Sequence, residues 1–285
     1  MPRFDCPTIH TKIYALSHTA SYAVFLVTLL AAVVTGGCAN PAKGHVDGRG
    51  TLTVFAASSL TEAFSEAGLQ FERDNPGVHV RLSFAGSQAL RLQVEYGAPA
   101  DVIATANARH VAALVQLGRA SDPQVIAHNA LAIVVPLANP ARVHTFEQLD
   151  RAHRLVVGAP SVPIGRYTQL LLQRSSEAVG ARFATAVRSH IVSRENNVRL
   201  ARAKVELGEA DAAVVYLTDA RASKRVRTVA VPDAINVKAQ YQQALISDAE
   251  NVTVARLWQR HMLSAAGQAT LQAHGFLPAA GQGSP

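Results

Sequence analysis

The sequence predicts an α/β fold made of two lobes. From Thr51 onward, short runs rich in β-branched and aromatic residues alternate with amphipathic helical stretches, which is typical of a sheet covered by helices. A strongly apolar run at residues 131–135 ends at Pro136, and the same alternation then starts again. We therefore expect each lobe to contain a mixed, mostly parallel sheet flanked by helices, with a ligand cleft between the lobes.

The first lobe is predicted to comprise residues 51–130 and 240–285. Its strands are expected at residues 52–55, 78–84 and 101–104, and its helices at residues 61–73, 88–96 and 111–117. The run at 78–84 alternates with a period of two, as a half-buried strand does. The chain is expected to return to this lobe through a strand at 241–246, followed by helices at 254–263 and 268–274.

The second lobe is predicted to comprise residues 131–239. Its strands are expected at residues 131–135, 155–157 and 212–216, and its helices at residues 167–173, 182–188 and 198–207. Because the loops that follow parallel strands gather at the carboxyl ends of those strands, a ligand should lie at that edge of the sheets.

Composition narrows the class of partner. The 285 residues are 49% hydrophobic and 16% charged, which indicates a globular chain. The formal net charge is +7, but the arginines are dispersed and only 6% of the residues are aromatic, so a base-stacking platform is not indicated. We expect no nucleic-acid partner, and a weakly positive surface that speeds the approach of a small anion.

The N-terminus predicts export. Residues 1–37 read as a signal peptide of the lipoprotein type, because an apolar stretch too short to span a bilayer comfortably precedes Thr35-Gly-Gly-Cys38. That tetrapeptide resembles a bacterial lipobox, although Thr35 replaces a larger aliphatic residue, and an uncleaved membrane anchor is the alternative. We expect lipidation of Cys38, a flexible tether at residues 38–50, and a protein held by lipid on the extracytoplasmic or periplasmic side of the cell membrane.

Several segments place a hydroxyl or a bare backbone N–H at the start of a predicted helix. They lie at residues 55–60, 84–88, 163–165 and 197–198. Helix starts carry unpaired N–H groups and the positive end of the helix dipole, so several meeting at one point can hold an anion without a charged side chain. Tyr216 ends a strand that should be buried, and its hydroxyl requires either a ligand or an internal carbonyl as its partner.

Local structural roles account for some of these residues. The spacing of Ser59 and Glu62 predicts a capping box, in which the serine oxygen accepts a backbone N–H of its own helix. Asn197 is predicted to cap the helix that follows it, and Gly165 is expected to let a ligand approach the backbone. A hydroxyl that caps a helix can still donate its own proton, so capping and ligand binding are compatible.

The motifs resemble those of the molybdate-binding proteins of bacterial ABC importers. The run from Leu52 to Leu60, LTVFAASSL, is followed by Phe84-Ala-Gly-Ser87 and then Gly97-Ala-Pro-Ala-Asp101. Further matches follow in the order found in that family, at Val162-Pro163, Asn197-Val-Arg199, Val214-Val-Tyr216 and Asp219-Ala220. The resemblance covers about residues 51–277 and implies a two-lobed fold of the type II periplasmic binding protein class.

The resemblance implies a ligand and a set of binding residues. The ligand would be molybdate or tungstate, held by the hydroxyls of Ser59 and Ser87, the backbone N–H groups of Ile164 and Val198, and the phenol of Tyr216. It implies no cofactor, no direct ligand to a metal cation and no enzymatic activity. The implied partners are an ABC permease and its ATPase, and we expect a monomer.

Two other functions are alternatives to molybdate binding: a receptor for a different oxyanion and a secreted hydrolase. A site made only of donors suits unprotonated molybdate, tungstate and sulfate and rejects phosphate, which keeps a proton at neutral pH. A receptor for another tetrahedral oxyanion such as sulfate is therefore the nearest alternative. A secreted serine hydrolase is more distant, because the pentapeptide at 85–89, AGSQA, lacks the second glycine of a nucleophile elbow.

Overall fold

A computed structural model describes residues 50–279, which form two mixed sheets with helices on their faces. The predicted signal peptide, Cys38 and the tether up to residue 49 lie outside the described residues. Gly50 already belongs to the first strand. Within residues 50–279, no helix is both long enough and apolar enough to cross a bilayer.

The order of elements follows the predicted alternation. The strands are β1 (Gly50–Ala57), β2 (Val78–Ala85), β3 (Val102–Thr105), β4 (Ala120–Asn129), β5 (Leu131–Pro136), β6 (Leu155–Gly158), β7 (Ile191–Glu195), β8 (Ala212–Tyr216), β9 (Val226–Ala230), β10 (Ala239–Ile246) and β11 (Leu277–Pro278). The helices are α1 (Thr61–Asp74), α2 (Ser87–Glu95), α3 (Ala108–Gln116), α4 (Pro163–Ala178), α5 (Ala181–Ser189), α6 (Val198–Glu206), α7 (Leu217–Arg221), α8 (Val252–Leu263) and α9 (Ala265–Ala273). Single 3₁₀ segments occupy Ser58–Leu60 and Phe146–Arg151.

Each sheet is parallel on one side and antiparallel on the other. The first sheet has the order β11-β4-β10-β3-β1-β2, in which β1 pairs with β2 and β3 in parallel and β10 pairs with β3 and β4 antiparallel. The second sheet has the order β7-β6-β8-β5-β9, with β6 parallel to β7 and β8, and β5 antiparallel to β8 and β9. The predicted class, two mixed sheets flanked by helices, is confirmed. The expectation that each sheet is mostly parallel was wrong, because antiparallel pairs outnumber parallel ones in the first sheet and equal them in the second.

The two sheets draw on different parts of the chain. The first takes its strands from both ends of the described chain, and the second takes all of its strands from residues 131–230. The lobe boundaries at 51–130 plus 240–285 and at 131–239 stay a prediction.

Apolar runs explain why the inner strands lie where they do. All the residues of β3 and β8 are buried, because both strands are internal in their sheets and their sequences are almost entirely apolar or small. The largest core cluster includes Trp258, whose ring meets Phe64 at 5.6 Å and Phe71 at 5.4 Å in edge-to-face contacts. These contacts pack α8 against α1.

Strand register aligns the segments that follow the strands. Ala57 at the end of β1 pairs with Ala85 at the end of β2, and Gly158 at the end of β6 pairs with Glu195 at the end of β7. Because these pairs are parallel, the next residues of each chain segment emerge at the same edge of their sheet. Tyr216, at the end of β8, is opposite Leu131, where β5 begins.

Candidate functional site

One small cavity is lined by all five of the residues singled out from the sequence. Ser59 and Ser87 reach it from the first sheet, and Ile164, Val198 and Tyr216 reach it from the second. The cavity volume is about 10 Å³, which is close to the space that one water molecule occupies. None of the lining side chains is charged. A guest held by these walls would therefore meet only neutral groups.

Helix starts surround this cavity. Ser87 and Val198 are the first residues of α2 and α6, Ile164 is the second residue of α4, and Ser59 lies in the 3₁₀ turn that leads into α1. The first N–H groups of a helix have no acceptor within that helix, and the positive end of the helix dipole lies there. The structure thus brings four such starts to one point.

Local sequence explains where these helices begin. Pro163 occupies the first turn of α4, where its fixed φ suits a helix and its missing N–H has no effect. The Oδ1 atom of Asn197 accepts the N–H of Leu200 at 3.0 Å, which confirms the predicted cap of α6. At Gly165 a Cβ would lie 2.0 Å from the carbonyl oxygen of Ala159, so close backbone packing requires glycine there. The expected approach of a ligand to its backbone stays a prediction.

The hydroxyls of Ser59 and Ser87 each have a protein partner. The Ser59 Oγ lies 2.9 Å from the hydroxyl oxygen of Tyr241, and the Ser87 Oγ accepts the backbone N–H of Ala106 at 3.1 Å. Both serines are buried. These bonds hold the two hydroxyl groups at the cavity wall.

The capping box predicted for Ser59 and Glu62 was wrong. Helix α1 begins after Leu60 without a side-chain cap, and Glu62 instead forms an ion pair with Arg199. The serine hydroxyl is taken by Tyr241, which lies 182 residues further along the chain. A buried phenol requires a partner, and here that tertiary demand outweighs the local capping rule.

Tyr216 presents a hydroxyl without a partner. Its side chain is 1% exposed, and its oxygen makes no hydrogen bond of normal distance and angle with the described residues, although the Tyr241 hydroxyl is near enough to interact with it. Burial, with the neighbouring Tyr241 and Tyr167, raises the pKa of Tyr216 well above its usual value, so the phenol keeps its proton. The internal carbonyl considered from the sequence is not there among residues 50–279. An unpaired buried hydroxyl costs about 1–3 kcal/mol, which a guest that accepts its proton would offset.

Charged groups lie beside the cavity and not in it. Arg199 donates from Nε to the carbonyl of Ser58 at 2.9 Å, and the same Nε lies 3.6 Å from the carboxylate of Asp219. Burial raises the pKa of Asp219 to about 7, although Arg199 and Arg202 act in the opposite direction. Both carboxylate oxygens are buried without a hydrogen-bond partner in the described part of the chain.

Other candidate sites are weaker. Across residues 50–279, no group of three or more His, Cys, Asp or Glu side chains is placed to hold a metal ion. A larger cavity of about 710 Å³ lies beside Thr53, Arg81 and Arg119, but none of the predicted binding residues lines it. The neutral hydrogen-bond donors lie at the smaller cavity, and we therefore take that cavity as the candidate binding site.

Two mixed α/β sheets, with neutral donors gathered where their strands end, define the class of solute-binding receptors. The sequence pattern of one family in that class matches residues 52–277. The chain belongs to the bacterial extracellular solute-binding protein family.

Known relatives agree with this assignment. The chain is 35% identical over 254 residues to the molybdate-binding protein ModA of Mycobacterium tuberculosis, which covers 87% of this chain and 94% of the relative. It is 28% identical over 260 residues to YvgL of Bacillus subtilis, whose name describes an ABC transporter substrate-binding lipoprotein, across 90% of this chain and 97% of that one.

Solved structures show the same fold. The periplasmic molybdate-binding protein of Azotobacter vinelandii superposes with a TM-score of 0.69 at 20% identity, over 80% of this chain and 99% of the other. The sulfate-binding protein SubI of Mycobacterium tuberculosis superposes with a TM-score of 0.71 at 20% identity, over 81% and 88% of the two chains. Both likenesses concern the two-lobed fold.

Proposed function

We propose that this exported protein captures molybdate, and tungstate with little discrimination, and delivers it to an ABC importer composed of a permease and an ATPase. The unpaired hydroxyl of Tyr216, in a cavity formed by four helix starts, is the observation that carries the proposal. The ligand would be held by the hydroxyls of Ser59, Ser87 and Tyr216 and by the backbone N–H groups of Ile164 and Val198.

Physical chemistry favours a fully deprotonated dianion here. Burying a dianion unpaired costs tens of kcal/mol in a low-dielectric medium, so several charge-assisted hydrogen bonds of about 1.5–3 kcal/mol each are required. The helix starts add their dipoles at no further desolvation cost. Hydrogen phosphate would bring a proton into a wall of donors and leave it unpaired, which such sites reject strongly.

The names of the relatives support molybdate over other oxyanions. The Mycobacterium tuberculosis relative is named for molybdate binding and matches nearly its whole length to this chain. The lipoprotein name of the Bacillus subtilis relative supports lipidation at Cys38, which would hold the receptor at the membrane beside its importer. We propose that it works there as a monomer.

Calorimetric titration of the purified protein with molybdate, tungstate, sulfate and phosphate tests the proposal. We expect tight binding of molybdate and tungstate, weaker binding of sulfate because a cage set for longer metal–oxygen bonds holds it loosely, and no heat from phosphate. Strong sulfate binding without molybdate heat would contradict the proposal and identify a sulfate receptor.

A further inference from the structure

A second tyrosine stands behind the cavity wall. Tyr241 is fully buried on β10 and does not itself line the cavity. Its hydroxyl oxygen lies 2.9 Å from Ser59 Oγ and 3.5 Å from Asn129 Nδ2. This contact could not be predicted from local sequence, because Ser59 and Tyr241 are 182 residues apart along the chain.

The contacts of Asn129 fix the direction of the protons. Its Oδ1 accepts the N–H of Ala130 at 3.0 Å, and its Nδ2 donates to the hydroxyl of Thr218 at 2.8 Å, so the nitrogen faces Tyr241. An amide nitrogen can only donate, and the Tyr241 oxygen therefore accepts from it. Ser59 Oγ is then the acceptor with normal hydrogen-bond geometry for the phenol proton, whereas the nearby Tyr216 oxygen makes no such bond.

Ser59 is thereby left as a donor. Because its oxygen accepts the proton of Tyr241, its own proton is not used by that contact and is available to a guest in the cavity. A hydroxyl that accepts a hydrogen bond is also polarised into a stronger donor. Ser87 is arranged in the same way, with the N–H of Ala106 in place of the phenol.

We propose that Tyr241 is a positioning residue for oxyanion binding. The Tyr241 hydroxyl donates to Ser59 and holds the serine hydroxyl at the cavity wall. The proton of Ser59 is then free to form a hydrogen bond with the ligand. The inference deepens the function proposed above and rests on it. Burial raises the pKa of Tyr241 well above its usual value, so the phenol has its proton to give at any physiological pH.

A double-mutant cycle in molybdate affinity tests this role. Ser59→Ala is expected to weaken binding by about tenfold or more, because a charge-assisted hydrogen bond is lost. Tyr241→Phe is expected to weaken it by about three- to tenfold, which corresponds to one neutral hydrogen bond. In the Ser59→Ala background, Tyr241→Phe should change the affinity by less than about twofold, because its route to the ligand is gone.

Tyr167→Phe is the matched control. Tyr167 is also a tyrosine near the site, its ring contacts Tyr216 at 6.4 Å, and its hydroxyl accepts the N–H of Gln240 at 3.2 Å, but it has no contact with Ser59. We expect its removal to change affinity by less than about twofold. An unchanged affinity in Tyr241→Phe, or an equal loss with and without the Ser59 hydroxyl, would overturn the inference, since a purely structural role acts in both backgrounds.

The design separates this inference from the proposed function. If the unmodified protein binds sulfate instead of molybdate, the proposed ligand is wrong, and the same cycle measured with sulfate still decides the role of Tyr241. If it binds no oxyanion, both fail. If Tyr241→Phe does not fold, Tyr241→Gln, which keeps a donor, is compared with Tyr241→Leu, which has none, and equal affinities would again overturn the inference.

Discussion

At the scale of single residues, the Tyr216 hydroxyl distinguishes a binding role from a structural one. A hydroxyl that stabilises the fold has a partner, whereas this one is buried without a partner in the described chain. Tyr216→Phe should leave the melting temperature of the ligand-free protein unchanged or raise it, because an unsatisfied polar group is removed. The same change should weaken molybdate binding by about 1.5–3 kcal/mol in calorimetry.

Tyr96→Phe provides the control for that substitution, because Tyr96 is 88% exposed and lies outside the cavity. Neither its stability nor its affinity should change. An unchanged affinity in Tyr216→Phe would remove the phenol from the site.

Asp219 predicts a dependence of stability on pH. In the unfolded chain its carboxyl loses a proton near its usual pKa of 3.8, whereas in the folded protein burial raises that pKa to about 7. Between these values the folded state binds more protons than the unfolded state, so the contribution of Asp219 to the free energy of unfolding falls as pH rises from about 4 to about 7. Asp219→Asn removes this titrating carboxyl group. The variant should therefore have a higher melting temperature than the parent at pH 8, and the difference between the two melting temperatures should shrink toward pH 4.

The difference between parent and variant is the quantity to measure in thermal unfolding. Other groups, such as His110, whose pKa burial lowers to about 4, contribute equally to both proteins. Asp248→Asn is the control, because this exposed carboxylate forms only a surface ion pair with Arg119, and its melting temperature should differ little from that of the parent. A constant difference between Asp219→Asn and the parent across this pH range would contradict the prediction.

At the scale of elements, local pattern predicted strands with a clear apolar or alternating sequence and missed those without one. β3 and β8 are continuous apolar or small runs, and the sequence placed both. The edge strands β7 and β9 expose alternate or consecutive residues, and their short mixed sequences gave no signal. β4 contains Pro123 and pairs with β10 through register shifts, which reads as a loop in sequence.

The sequence could predict those residues of the candidate site that a local pattern marks, but not their partners. Helix starts with serine, asparagine and proline have signatures within a few residues, so Ser59, Ser87 and Val198 could be selected. The partners of those residues depend on tertiary contacts. No local rule relates Ser59 to Tyr241, and for that reason the capping box was predicted instead.

Alanine substitutions at two helical glycines, Gly165 in α4 and Gly68 in α1, should have opposite effects on stability. A Cβ at Gly165 would lie 2.4 Å from the carbonyl oxygen of Gly158 and closer still to that of Ala159, so Gly165→Ala must shift the start of the helix. We expect the free energy of unfolding to fall by about 1–3 kcal/mol, the usual cost of overpacking, and molybdate binding to weaken because Ile164 moves with the helix.

Gly68→Ala in α1 is the matched control for Gly165→Ala. Its Cβ would meet the Leu82 side chain at 3.5 Å, an ordinary contact, so better helix propensity should leave stability unchanged or raise it by up to about 1 kcal/mol. Chemical denaturation of both variants measures the contrast. Equal stability of Gly165→Ala and its parent would show that the loop before α4 yields easily.

At the scale of the whole molecule, two sets of contacts join the elements of the two sheets across the cavity. Gln88 on α2 donates to the carbonyl of Asn196 at 2.7 Å, just before α6. Arg199 on α6 reaches the Ser58 carbonyl at 2.9 Å and the Glu62 carboxylate on α1. These bonds form only when the two strand edges come together, so they favour the arrangement that encloses a ligand.

Closure of the two lobes on molybdate should therefore depend on Arg199. Arg199→Ala removes the guanidinium bonds to both Ser58 and Glu62, so the enclosing arrangement loses stability relative to an open one, and a ligand that binds the enclosing arrangement loses affinity by the same free energy. We expect molybdate to bind about tenfold more weakly, mostly because it dissociates faster in stopped-flow measurements. The radius of gyration from X-ray scattering should also shrink less when molybdate is added.

Lys204→Ala is the control, because Lys204 lies on the same helix but pairs with Glu195 and Glu209 on its own side of the cavity. Scattering profiles of the parent that are identical with and without molybdate would refute closure itself, whereas an unchanged dissociation rate in Arg199→Ala would show that closure does not depend on this arginine.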